Sequence, residues 1–223
     1  MARVSHDLRQ DKDALISLRR SIKIHQELKN ARARSLALLL EGRILMKQSR
    51  HVAALESFDE AQKILPESEA AEKPQLFEDI AACQIKLSKY SEGLATYNRL
   101  AADLEKEGKK KEAARVYLFM GGLQVSRSDH RGAAASFKKA EAIYRKIGLN
   151  KELGETLFRS AYLDQLSGDT KAAHKSVEEG KSLLSGQDRT DFDALPLFVS
   201  GMAAHDEGKS SLAVKNLSAA LGQ

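Results

Sequence analysis

Tryptophan is absent from the 223 residues, and Phe and Tyr together make up only 5% of them. A single cysteine, Cys83, excludes an internal disulfide. Only three prolines, Pro66, Pro74 and Pro196, interrupt the chain, so long helices are permitted almost throughout. No apolar run approaches the roughly 20 residues of a membrane span or the roughly 7–15 of a signal-peptide core. A soluble, cytoplasmic chain without a membrane span is therefore expected. The arginine-rich N-terminus has the composition of a transit peptide, but Asp7, Asp11 and Asp13 argue against that reading.

What is present is apolar content of 42%, enough for a sizeable core, in a background of Ala, Leu, Lys, Glu and Ser that favours helix. The net charge of +5 is unevenly placed. Residues 1–50 carry twelve Lys and Arg against five Asp and Glu, and the rest of the chain is slightly acidic.

The chain repeats itself. Small residues twelve positions apart recur as Gly42/Ala54, Ala81/Gly93, Gly121/Ala133, Ala161/Ala173 and Gly201/Ala213, with offsets of 39, 40, 40 and 40 residues. Four residues after each second member stands Phe58, Tyr97, Phe137, Val177 or Leu217, and four before each first member Leu38, Phe77, Tyr117, Leu157 or Leu197. Small residues let two helices approach, and large ones at helical spacing fill the seam. Neither helix of such a pair buries its apolar stripe alone, whereas stacked pairs share one core. Ala14, Leu18 and Ser21 continue the register backwards as a second helix without its first. The pattern predicts eleven helices, at about 11–29, 33–48, 51–65, 72–88, 91–107, 110–127, 130–146, 150–167, 170–184, 191–207 and 210–221, and no sheet. It divides the chain into a polar tail (1–10), a half repeat (11–34) and repeats at about 35–73, 74–113, 114–153, 154–193 and 194–223, all in one array.

These columns resemble the tetratricopeptide repeat, most clearly over 35–66, where Leu38, Gly42, Leu45, Ala54, Phe58, Ala61 and Pro66 stand at that family's spacing. The period is the longer one of about 40 residues rather than about 34, with the additional residues expected in the links between pairs, as in 145–157. The resemblance implies a right-handed superhelical solenoid of antiparallel helix pairs whose concave face, lined by the first helices, binds a peptide or a helix. It implies no catalysis and no cofactor. The expected groove is lined by Leu39, Arg43, Met46, Lys47, Ile85, Lys86, Arg115, Leu118, Val125, Phe158, Tyr162, Leu166, Phe198, Met202 and His205. Its apolar character with basic flanks suits an apolar peptide or an amphipathic helix. One column departs from the family: Leu45, Gln84, Gln124, Asp164 and Ala204 stand where tyrosine is usual, predicting looser packing or a slight rotation of the first helices.

Little else carries chemistry. The six histidines are dispersed and none has H-x-x-x-H spacing, so no metal site is expected. Asp191 and Asp193 read as acids at a helix start rather than as a calcium loop, which would need a glycine and a terminal glutamate. Cys83 reads as a buried, inert thiol. The basic N-terminal quarter, with Arg19, Arg20, Lys23, Lys29, Arg32, Arg34, Arg43, Lys47 and Arg50, is the candidate for nucleic acid, but no aromatic residue precedes Phe58 to stack on bases. The readings are thus a non-enzymatic protein-interaction adaptor first, a self-associating scaffold second and a nucleic-acid-associated protein third. Leu15, Leu18 and Ile22 at one end and Leu217 and Leu221 at the other lack a capping helix, so one end is expected to be covered by a second copy or a partner.

Gly208-Lys209-Ser210 has the look of a phosphate loop, with Ala203 where its first glycine would stand. It occupies the register of four other turns, Ser49-Arg50-His51, Ser88-Lys89-Tyr90, Ser128-Asp129-His130 and Gly168-Asp169-Thr170, and follows a helix, not a strand. Lys209→Ala should therefore change unfolding free energy by no more than about 0.5 kcal/mol, as at an ordinary surface position. ATP or GTP titration should give no saturable signal in either protein.

Overall fold

A chain short of proline and rich in helix formers satisfies its backbone locally, and the computed structural model, which describes residues 2–184, 194–206 and 208–220, is all-α. The helices are α1 (Ala2–Glu27), α2 (Ala31–Lys47), α3 (His51–Ile64), α4 (Lys73–Lys86), α5 (Tyr90–Lys106), α6 (Lys110–Ser126), α7 (His130–Ile147), α8 (Asn150–Leu166), α9 (Thr170–Leu183), α10 (Ala194–Asp206) and α11 (Ser210–Ala220). A 3₁₀ segment, Glu67–Glu72, precedes α4, and no strand occurs among the described residues. Helix α1 begins at Ala2, so residues expected as a polar tail are helical. Residues 191–193, expected to open the tenth helix, and Leu221 lie outside the described residues.

The chain divides into two compact units, residues 1–100 and 101–223. In the first, α1 packs on α2, α2 pairs with α3, and α3 packs on α4. In the second, α6 pairs with α7, α8 with α9 and α10 with α11, and α7 packs on α8. Antiparallel pairing of sequence neighbours through short turns is the arrangement the repeat predicts.

The seams show why the small residues recur. Ala54, Phe58 and Ala61 of α3 are fully buried, as are Ala133 and Ala140 of α7, with Phe137 between them nearly so. A methyl group on Gly42 would run into the ring of Phe58, and one on Gly121 into the ring of Phe137. One on Gly201 would come within 2.7 Å of Leu217. In the α8–α9 pair Ala161 replaces the glycine, and the smaller Val177 faces the seam. That pair gains its bulk elsewhere, because Phe158 of α8 fills the space over Gly180. The α2–α3 and α6–α7 seams thus share one combination of sizes, and the α8–α9 seam is filled by another.

The turns within pairs share one conformation. Ser49, Ser88, Ser128, Gly168 and Gly208 all have φ between +59° and +81°. The residue after each donates its N–H to a carbonyl five residues back, as Arg50 does to Leu45 at 2.9 Å and Lys209 to Ala204 at 2.8 Å. This is a Schellman helix end, in which a left-handed residue lets the last carbonyls find partners. Gly208 is therefore a helix stop, and its neighbours meet the needs of a turn. Lys29, Gly108 and Gly148 stop α1, α5 and α7 in the same way. Because Gly148 turns the chain so tightly, only residues 148 and 149 separate α7 from α8. The residues beyond a 34-residue period therefore lie in longer helices there, not in the link where the sequence reading placed them. Among the described residues, the 3₁₀ segment is the extended link.

The polar column has a partner for each amide. Gln84 Oε1 accepts from Thr96 Oγ1 at 2.8 Å, and Gln124 Oε1 accepts from Ser136 Oγ at 2.6 Å while its Nε2 donates to Asp129 at 3.2 Å. Each bond joins the two helices of a pair, so a buried polar group is satisfied where tyrosine would otherwise pack.

Adjacent glycines on α6 should respond oppositely to the same change. Gly121→Ala should cost about 1–3 kcal/mol by overpacking the ring of Phe137. Gly122→Ala, whose methyl meets nothing within 4 Å, should gain about 0.5–1 kcal/mol of helix propensity. Urea unfolding of the two variants checks both signs.

Candidate functional site

The fifteen expected groove residues fall on first helices, and the structure separates them by what each already touches. In the first unit Leu39 is 1% exposed and belongs to the core around Phe58. Met46 packs half-buried against that core, and Ile85 lies over Gly93. Arg43 Nε donates to Asp79 Oδ2 at 2.9 Å, and Asp79 also accepts from Gln75. Lys47 Nζ pairs with Asp11 at 3.2 Å. These charges join neighbouring helices, and Lys86 is exposed.

In the second unit Phe158 is 2% exposed and belongs to the seam over Gly180. Leu118 and Val125 of α6 are half-buried against Phe137 and Leu163. Tyr162 of α8 rests on a core of Ala161, Ala173, Val177 and Val199. Its ring lies 6.0 Å from that of Phe198 on α10, tilted by 48°. Phe198 and Met202 are half-buried, Leu166 is 41% exposed, and Arg115 and His205 are exposed. Gly122, Tyr162 and Met202 occupy one repeat position on α6, α8 and α10, so the glycine leaves an open notch where the next two helices carry large side chains. Sequence reasoning missed Phe119, which is 54% exposed on α6. The column Leu40, Asp79, Phe119, Arg159, Val199 carries no small-residue signal, and nothing in its spacing distinguishes a surface ring from a core one.

The basic N-terminal quarter is largely neutralised in place. Arg19 pairs with Glu41 at 2.8 Å, Arg32 with Glu69 at 2.6 Å, Arg34 with Glu60, Arg43 with Asp79 and Lys47 with Asp11. These pairs occupy five of the nine cations that would otherwise meet phosphates.

Cys83 is buried, and burial, with the charges of Asp79 and Asp59 adding to it, pushes its thiol up to about 11. A neutral thiol of this kind is a packing residue. Among the described residues no three His, Cys, Asp or Glu side chains come together as a metal site requires. No described helix is long and apolar enough to cross a membrane.

No family model matches the chain, and no curated protein matches its sequence. Solved structures do match in fold. BtubC (BKLC) from P. vanneervenii superposes with a TM-score of 0.66 at 11% identity, over 94% of this chain and 89% of that one. The apo form of RapI gives 0.72 at 15% identity, over 96% and 59%. The apo form of the quorum sensor NprR from B. thuringiensis gives 0.55 at 14% identity, over 95% and 60%. This chain thus spans about six-tenths of the length of the latter two. At such identities the likeness is one of fold.

Two carboxylates of the second unit are held against their charge. Burial raises Glu141 above the usual carboxylate range, opposed by the hydroxyl of Ser160, which donates to it, and by Arg145. Burial also raises Asp164, with Asp169 and Glu141 adding repulsion. A raised carboxylate binds more protons folded than unfolded within its titration window, so stability falls as pH rises through that window. Glu141→Gln and Asp164→Asn should therefore raise the urea midpoint at pH 7. The gain should vanish near pH 3, where both states are about fully protonated. A loss at pH 7 would mean that the carboxylates are stabilising as ions.

Proposed function

We propose that this chain is a tetratricopeptide-type, non-enzymatic interaction adaptor of the cytoplasm, whose first helices in the second unit bind an apolar peptide or an amphipathic helix. The observation that carries the reading is the series Tyr162, Leu166, Phe198 and Met202, large apolar side chains that remain partly open to solvent beside the notch at Gly122. A partner helix presenting side chains at i, i+3 and i+4 would lay them across such a series, with one residue entering the notch. Arg115 and His205 at its margins would favour acidic flanks on the partner. Phe158 supports the surface from within and makes no contact with the ligand. The likeness in fold to a protein described as a quorum sensor is compatible with a recognition role and adds no ligand of its own.

A second reading, self-association, is favoured by Ile16, Ile24 and Leu28, which are exposed along one side of α1 with Arg20 between them. A mass that rises with concentration in sedimentation would support it. The pairing of five N-terminal cations leaves the nucleic-acid reading without a comparable surface.

Selection from a library of helical peptides followed by fluorescence anisotropy tests the adaptor reading. Leu166→Glu should weaken the selected peptides by about tenfold or more, because a carboxylate would be desolvated in the interface. Lys86→Ala should leave them unchanged. Failure to select any saturable binder, or equal binding by the Leu166→Glu protein, would remove the proposed surface.

A further inference from the structure

Charge on the second helices of the pairs differs between the two units. Helix α3 carries Glu56, Asp59 and Glu60 against Lys63. Helices α7, α9 and α11 together carry nine Lys and Arg against three Glu, although the chain beyond residue 50 is slightly acidic as a whole. Those three acids are engaged. Glu179 pairs with Arg145 at 2.6 Å, Glu178 pairs with Lys181 at 3.0 Å, and Glu141 accepts from the hydroxyl of Ser160. Arg131, Lys138, Lys146, Lys171, Lys175 and Lys215 are all exposed, and none of them makes an ion pair among the described residues.

The repeat register aligns these cations. Arg131, Lys171 and Ser211 share one position on the three helices, and Ala135, Lys175 and Lys215 share the position one turn later. All of these residues are exposed, so the three helices present the same side to solvent. The Arg145–Glu179 pair joins α7 to α9 directly, and α10 packs on α9 while pairing with α11. Between the cations of α7 stand Ala134, Ala135 and Ala142, exposed and too short to hold an approaching surface away. Cations set this close together without acids raise a positive potential that an anionic partner relieves.

On α11 the same side is apolar as well. Val214 is 64% exposed and Leu212 44%, and helical spacing sets them on either side of Lys215. A nucleic-acid backbone gains nothing from covering a valine, and the described residues of these helices expose no aromatic ring to stack on bases. The boundary between lipid headgroups and acyl chains accepts both kinds of group, with apolar side chains below and lysines at the level of the phosphates. We propose that the second helices of the second unit dock on an anionic lipid bilayer. The cations of α7 and α9 meet its headgroups, and Val214 and Leu212 of α11 enter its surface. The chain then lies on the bilayer without crossing it. This face uses none of the residues of the adaptor surface, which is built on the first helices.

The test is co-flotation of the full chain with vesicles of phosphatidylcholine alone and of phosphatidylcholine mixed equally with phosphatidylserine. Capture by the mixed vesicles only, declining as salt is raised, is expected. Lys138→Ala combined with Lys175→Ala should weaken it by about tenfold or more. Lys12→Ala combined with Lys23→Ala removes the same charge from exposed sites on α1 and should leave capture unchanged. Val214→Ser should weaken capture several-fold without altering its salt dependence. All the replaced side chains are exposed, so each variant should melt like the parent. The proposal is overturned if neither vesicle captures the chain, if phosphatidylcholine alone captures it equally, or if the α1 variant loses as much as the α7–α9 variant. Parent-like capture of Val214→Ser would also overturn it. So would duplex DNA binding more tightly than the mixed vesicles in the same buffer, which would make the face a nucleic-acid site.

Discussion

Everything in this protein depends on two helices coming close enough for a bulky side chain on one to fill the space over a small residue on the other. The contact between Phe137 and Gly121 is the clearest case, and Phe58 over Gly42 repeats it. Dispersion and apolar burial both favour the closest approach, and a methyl group at the wrong place forbids it. Once the pair is closed, the turn must be short, the last carbonyls must be satisfied within it, and the first helix must present its other face to the next pair. The left-handed serines and glycines, the buried Gln–Ser and Gln–Thr bonds and the caps of Asp129 and Asp169 follow from that closure.

Charge is organised by the same neighbour relations. A count of Lys and Arg over residues 1–50 suggests a basic arm, yet Arg32, Arg34 and Arg43 each reach an acid on α3, the 3₁₀ segment or α4. Their role is to join helices that are adjacent in the stack.

The helices and their register were legible because the small residues repeat at nearly constant offset and each constrains a large partner sixteen residues later. Gly42 with Phe58 and Gly121 with Phe137 could be matched from the sequence alone. The groove was harder to read, for a physical reason. Leu39 and Phe158 share a repeat position with Leu118 and Phe198, yet the first two are core and the others half-open, because accessibility depends on how far each first helix is rotated. Periodicity identifies which residues share a column but leaves that rotation free. Nor could it show that Arg43 and Lys47 are occupied, since Asp79 and Asp11 each lie 36 residues away. The extension of α1 to Ala2 was missed because the register that sets Ala14 against Ala54 aligns residues 2–10 with 42–50, where α2 ends in a turn, whereas α1 runs through without one.

The unequal filling of the seams also bears on how a repetitive chain avoids joining the wrong halves of itself. If α7 were to close on α8 instead of α6, Phe137 would meet Ala161 rather than Gly121, and its ring would have no space to enter. If Phe158 were to meet α7, it would face Ala140 rather than Gly180. At the boundary between α7 and α8 the native partners have the matching sizes, so each of these two seams favours its own closure over its neighbour's. Misassembly is a characteristic failure of repeat chains. In this one, the departures from perfect repetition discriminate correct from incorrect pairing.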